Sequence, residues 1–116
     1  MGTLNITALI DGYIAAWSEH DPAARMKLLE VVWYVDGAYT DPLSFAANRD
    51  QLHVIIGNFL KTNRGAKFTL KGSVDTHHQY VRFYWIAHMA NGAELPGMDY
   101  GEIGADGKLI KIVGFF

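Results

Sequence analysis

At 116 residues, half of them hydrophobic and 19% charged, the chain is long enough for a core of its own and too apolar to be disordered. A formal charge of -2, with ten basic residues scattered along the sequence, leaves no electrostatic footprint for nucleic acid. The absence of cysteine excludes disulfides, thiol nucleophiles and thiolate metal sites, and no apolar run reaches membrane-spanning length.

Met1 to Asn5 lacks the basic and then apolar pattern of a signal peptide, so a cytoplasmic protein is expected, folded as one domain over residues 1–116. Ile6, Leu9, Ile10, Tyr13, Ile14 and Trp17 recur at helical spacing and predict a first helix from about Thr3 to Glu19. Tyr13 lies on its buried stripe. Its hydroxyl must find a partner, so Tyr13 is either a satisfied core residue or a donor pointing into a cavity.

Asp21 can cap a second helix with Pro22 at its first position, and Met26, Leu29, Val32 and Trp33 face the first helix before it ends near Trp33. Asp36-Gly37 reads as a turn and residues 38–40 as a short extended piece. Asp41 precedes a proline, which drives it out of the helical region and restricts its side chain; the alternative is a purely structural role, since Asp-Pro pairs often serve only as turns. Residues 43–47 read as loop. Asn48 and Gln51 form a capping-box pattern for a third helix with Leu52, Ile55, Ile56, Phe59 and Leu60 on one stripe, closed by Lys61, Arg64 and Gly65. Residues 67–77 then alternate as a strand, with Phe68, Leu70, Val74 and Thr76 on one side.

From Tyr80 to Phe116 the chain reads as three antiparallel strands separated by Asn91-Gly92 and Asp106-Gly107. If each pair is the centre of a two-residue turn, Ala90 faces Ala93, Ala105 faces Lys108, Tyr84 faces Asp99 and Asp99 faces Gly114. One face then carries Arg82, Tyr84, Ile86, His88, Asp99, Ile112, Gly114 and Phe116: a carboxylate among apolar side chains, with open volume beside the glycines. Trp17, Trp33 and Phe59 from the helical half are expected to close this pocket. The other face carries Phe83, Trp85, Tyr100, Val113 and Phe115, and since the helices cover only one side, two copies are expected to pair through it as a homodimer. The plan is α+β, three helices followed by a curved antiparallel sheet of at least four strands.

The strings Tyr13-Ile-Ala-Ala-Trp17 followed by Asp21, Tyr39-Thr-Asp41-Pro42, Gly97-Met-Asp99, and Asp106-Gly-Lys108 leading to Phe115-Phe116 resemble the nuclear transport factor 2-like superfamily over nearly the whole chain. That group includes SnoaL-like polyketide cyclases, ketosteroid isomerase and scytalone dehydratase. The resemblance implies a cone-shaped fold, a small hydrophobic or carbonyl-containing ligand, a homodimer, and chemistry without a cofactor. Ketosteroid isomerase is the nearest functional pattern: its first-helix tyrosine matches Tyr13, the aspartate base of its Asp-Pro pair matches Asp41, and its oxyanion-side aspartic acid matches Asp99. The chain departs from it in a longer second helix, a shorter hairpin at Asn91-Gly92, Pro96 as a source of a bulge that shifts the register, and the polar Arg82 and His88 on the pocket face.

In this reading Asp41 removes a proton next to a carbonyl while Tyr13 and a neutral Asp99 hydrogen-bond to the oxyanion; burial keeps Asp99 protonated, whereas pairing with Arg82 would ionise it. Isomerisation, cyclisation and dehydration all fit. The alternatives are a non-catalytic module that binds a hydrophobic ligand or acts as a dimeric scaffold, and a dehydratase using His88 with Asp99. His53, His77 and His78 have no metal-ligand spacing, and no metal is expected.

Overall fold

The computed structural model describes residues 5–116. The expected helix start at Thr3, and the stretch read for a signal peptide apart from Asn5, lie outside the described residues. Helix α1 runs Ile6–Ser18, α2 Pro22–Val32 and α3 Arg49–Thr62. Each begins where a polar side chain accepts a free backbone N–H: Asn5 from Ala8, Asp21 from Ala24, and Asn48 from Gln51. Gln51 returns the favour one residue early, accepting from Ala47 N at 2.8 Å.

Six strands follow the order β2-β1-β6-β5-β4-β3, with β1 at Trp33–Asp41, β2 at Ser44–Ala46, β3 at Lys67–His77, β4 at Tyr80–His88, β5 at Glu94–Ile103 and β6 at Leu109–Phe115. All neighbours are antiparallel except β1 and β6, which run parallel, so the sheet is mixed. It curls without closing, and the three helices pack on it. Two stretches differ from expectation. Residues 33–41 form one strand, because the β-branched and aromatic run at its start favours extended backbone and a bulge absorbs Asp36-Gly37: the Trp33 indole N–H donates to Gly37 O at 3.1 Å. The supposed loop at 43–47 contains β2, paired to β1. Among the described residues no helix is long and apolar enough to cross a membrane.

The register of β4 needs correcting. Met89 N donates to Ala93 O and Gly92 N to Met89 O, so the hairpin has a three-residue loop closed by Gly92 at φ 92°, and Phe83, instead of Tyr84, faces Asp99. No bulge at Pro96 intervenes; the pairing runs unbroken from Tyr80/Glu102 to His88/Glu94. The second hairpin is built alike, with Gly107 at φ 82°, but a bulge between Glu102 and Ile103 restores the expected pairing of Asp99 with Gly114. One residue of slip exchanges the faces of β4 and of no other strand. Val81, Phe83, Trp85 and Ala87 therefore turn toward the helices, while Arg82, Tyr84, Ile86 and His88 turn outward. The face expected to pair two copies thus keeps Tyr100, Val113 and Phe115 and loses Phe83, which is fully buried, and Trp85.

The core lies between α1, α3 and the concave face of the sheet. Tyr13 stacks on Trp33 at 5.7 Å between centroids and meets Phe83 edge-on at 6.1 Å. Burial of rings of this size stabilises by about 2–3 kcal/mol each, which fixes the inner end of α1 against the sheet.

Candidate functional site

A cavity of about 540 Å³ opens between α1, α3 and the curled sheet. Its walls are aromatic: Trp17 contacts Tyr39, Phe59 and Phe68, Phe68 contacts Trp85, and Trp85 contacts Phe116, with ring centroids 5.4 to 6.1 Å apart. Leu43, Leu95 and Phe116 stand at its rim and are 83, 52 and 59% exposed. Tyr13, Tyr39, Asp41 and Asp99, each with an oxygen-bearing side chain, line the same cavity.

Three elements place these residues: α1 holds Tyr13, β1 holds Tyr39 and Asp41, and β5 holds Asp99. Tyr13 comes from α1, one turn before Trp17; its hydroxyl is buried and has no hydrogen-bond partner. Burial raises its pKa well above the usual phenol value, negative charge at Asp99 adds to the rise, and Trp17 nearby opposes it without closing a hydrogen bond. Tyr13 is therefore a neutral donor at any ordinary pH. Asp41 ends β1, where the following proline holds it extended. Its Oδ2 accepts from the Tyr39 hydroxyl at 2.5 Å and its Oδ1 from Leu43 N at 2.8 Å. Tyr39 sits two residues earlier on the same face of the strand. Its own pKa is raised, first by burial, then by the negative charge that would arise at Tyr13 and by its bond to Asp41.

Asp99 lies on β5 at only 5% exposure. Oδ1 accepts the Trp85 indole N–H at 3.1 Å. Burial pushes its carboxyl up to about 7, the Trp85 hydrogen bond restrains the rise, and the charge of Asp41 adds to it. Room for Oδ1 comes from Gly114, where a Cβ would approach it to 2.9 Å.

Of the residues expected around the pocket, Tyr13, Asp41, Asp99, Trp17, Phe59 and Phe116 line it. The others do not. Trp33 lies behind Tyr13, fully buried; Ile112 is buried beneath Gly101; Gly114 makes space instead of wall. Arg82, Tyr84, Ile86 and His88 point away, because of the β4 slip. Arg82 pairs with Asp75 at 2.9 Å on the outer surface, far from ionising Asp99, and His88 meets Thr69 and Glu94 there, so a His88/Asp99 couple does not exist. The sequence reading missed Tyr39 and Trp85. Tyr39 was legible as the same-face neighbour of Asp41 in an alternating strand; Trp85 was noticed and assigned to the wrong face. Among the described residues no group of three or more His, Asp or Glu side chains is arranged to hold a metal ion.

No protein-family model and no curated protein matches the chain by sequence. Solved structures do match. A proposed isomerase of the SnoaL-like family from Agrobacterium tumefaciens str. C58 superposes with a TM-score of 0.88 at 27% identity, covering 94% of each chain. An NTF2-like protein of unknown function from Exiguobacterium sp. 255-15 reaches 0.72 at 17% identity over 91% of this chain and 95% of that one. A protein of unknown function with a cystatin-like fold from Methylobium petroleophilum PM1 reaches 0.76 at 18% identity over 97% and 78%. The strand order, the three helices on the concave face and these likenesses place the chain in the NTF2-like, SnoaL-like superfamily.

Proposed function

We propose that the chain is a small-molecule enzyme that moves a proton next to a carbonyl, with Asp41 as base and Tyr13 and Asp99 as donors to the carbonyl oxygen. The observation that carries this reading is the Tyr13 hydroxyl, buried without a partner in a cavity it shares with a carboxyl that stays protonated up to about pH 7. An unpaired buried hydroxyl costs about 1–3 kcal/mol, and phenylalanine would avoid that cost. A ligand oxygen would recover it.

The step balances on these residues. Asp41 takes the proton from the carbon beside the carbonyl, and the electron pair left behind spreads onto the carbonyl oxygen as an enolate. Tyr13 and Asp99 donate hydrogen bonds to that oxygen, and the proton returns from Asp41 to a more distant carbon, giving the conjugated isomer. Tyr39 and the Leu43 amide orient the base. The likeness to a proposed isomerase supports the reading, as does the match of the three residues to the ketosteroid isomerase pattern, from which the roles are taken.

The test is conversion of a β,γ-unsaturated ketone to its conjugated isomer, followed as rising enone absorbance and lost in Asp41→Asn. A chain that binds a panel of such ketones and turns over none overturns the proposal. The apolar rim of Leu43, Leu95 and Phe116 favours a second reading, a non-catalytic holder of hydrophobic ligands. In that case apolar ligands raise the melting temperature and Asp41→Asn leaves the increase unchanged.

A further inference from the structure

A neutral carboxylic acid donates from one oxygen only, and the surroundings of Asp99 select which. Trp85 and Gly97 face each other across β4 and β5, and the indole lies flat over the glycine: a Cβ at Gly97 would come within 2.1 Å of Cζ2. Only with hydrogen at position 97 can the ring lie so low that its N–H reaches Oδ1 of Asp99, two residues along the same face. Oδ1 is thus held between the indole N–H and Gly114. Indole N–H only donates, and the carbonyl oxygen of a neutral carboxylic acid accepts more strongly than its hydroxyl oxygen, so the bond favours Oδ1 as the unprotonated oxygen. Oδ2 takes part in no hydrogen bond among the described residues.

We propose that Trp85 is a positioning residue for Asp99: its indole holds Oδ1 as an acceptor, so the carboxyl proton resides on Oδ2, the oxygen left to a ligand. The inference rests on the reading of Asp99 as a donor in the proposed function. The other titratable groups facing Asp99 are Tyr13 from α1 and Tyr39 and Asp41 from β1; Phe83 on β4 and Ile112 and Gly114 on β6 contribute none. Trp85 is the one group whose hydrogen bond favours the ionised form. Removing that bond therefore raises the pH at which Asp99 loses its proton.

The experiment is NMR of the ligand-free chain. The Trp85 indole N–H resonance is expected to move with pH at the same midpoint as the Asp99 carboxyl carbon, and to stop moving in Asp99→Asn. Trp85→Phe raises the Asp99 midpoint by about one pH unit, the size of one hydrogen bond to a charged group. Gly97→Ala displaces the indole without removing it and gives a rise of the same sign. In the ketone assay Trp85→Phe lowers kcat, leaves KM in place and moves the pH break upward. An indole resonance that stays flat while Asp99 titrates overturns the inference, as does an unchanged midpoint in whichever variant folds; the wild-type resonance decides if neither does. Coupled titration in a chain that turns over no ketone would keep Trp85's hold on Asp99 and remove the proposed function instead.

Discussion

The two carboxylates of the cavity make opposite use of their surroundings. Asp99 is at the buried inner end, where a single indole N–H is its protein donor and burial carries its pKa to about 7. Asp41 is partly exposed near the rim, with one oxygen held by a phenol and the other by a backbone amide. Solvation and hydrogen bonding, and not the residue type, set the two carboxylates apart, and the proposed reaction uses that difference by giving Asp99 the donor's part and Asp41 the base's.

The largest break in that division should come from Asp41→Asn, which keeps the shape and one accepting oxygen, for the Leu43 N–H, but replaces the other with an amide that cannot act as a base. Turnover is expected to fall about 10²–10⁴-fold with the melting temperature little changed. Next is the pH response of Asp99. Its folded value is raised from 3.8 to about 7, so the stability it contributes is complete below pH 3.8 and is lost as pH rises through 7. That difference, about three pH units at 1.36 kcal/mol each, amounts to roughly 4 kcal/mol. Denaturant melts across pH 4 to 8 should show a decline in the wild type that Asp99→Asn removes, leaving the opposite rise from His53, whose pKa burial lowers. In the same interval wild-type turnover should fall as pH passes about 7, since the donor form of Asp99 disappears.

Tyr13→Phe separates stability from chemistry. It deletes a buried hydroxyl with no partner, so the variant should be more stable by about 1 kcal/mol while turnover drops. A variant that is both less stable and fully active would make Tyr13 an ordinary core residue. The smallest effect is expected from Tyr39→Phe, which frees Asp41 Oδ2 and leaves the Leu43 amide in place: about a fivefold loss in kcat, from one hydrogen bond of about 1 kcal/mol.

The helices were legible because each has an apolar stripe facing one side and the second and third carry their own start signals in Asp21 and Asn48; the cap at Asn5 was not read, and the first helix was started at Thr3. The location of Asp99 on the concave face was legible as well, since its distance from Gly114 depends on the second hairpin. The composition of the wall around it was not. Asn91-Gly92 and Asp106-Gly107 read alike, and both hairpins contain a three-residue loop ending on a left-handed glycine. At the second, the bulge between Glu102 and Ile103 cancels the extra residue; at the first nothing does, and Arg82 and His88 changed places with Phe83 and Trp85. A bulge depends on contacts across the whole sheet, which a dipeptide does not encode. The strand at 33–41 was hidden for a related reason, because its partner β6 lies some seventy residues away in sequence.

The position of β6 between β1 and β5 has a consequence for how the chain assembles. Of the six strands described, the one furthest along the chain joins the two halves of the sheet, so without it β1 with β2 and the β3–β5 meander have no direct hydrogen-bonded link within the sheet. Asp41 and Asp99 sit on opposite sides of that seam. Contacts of such long sequence separation form slowly, and the two acids are expected to come together late in folding.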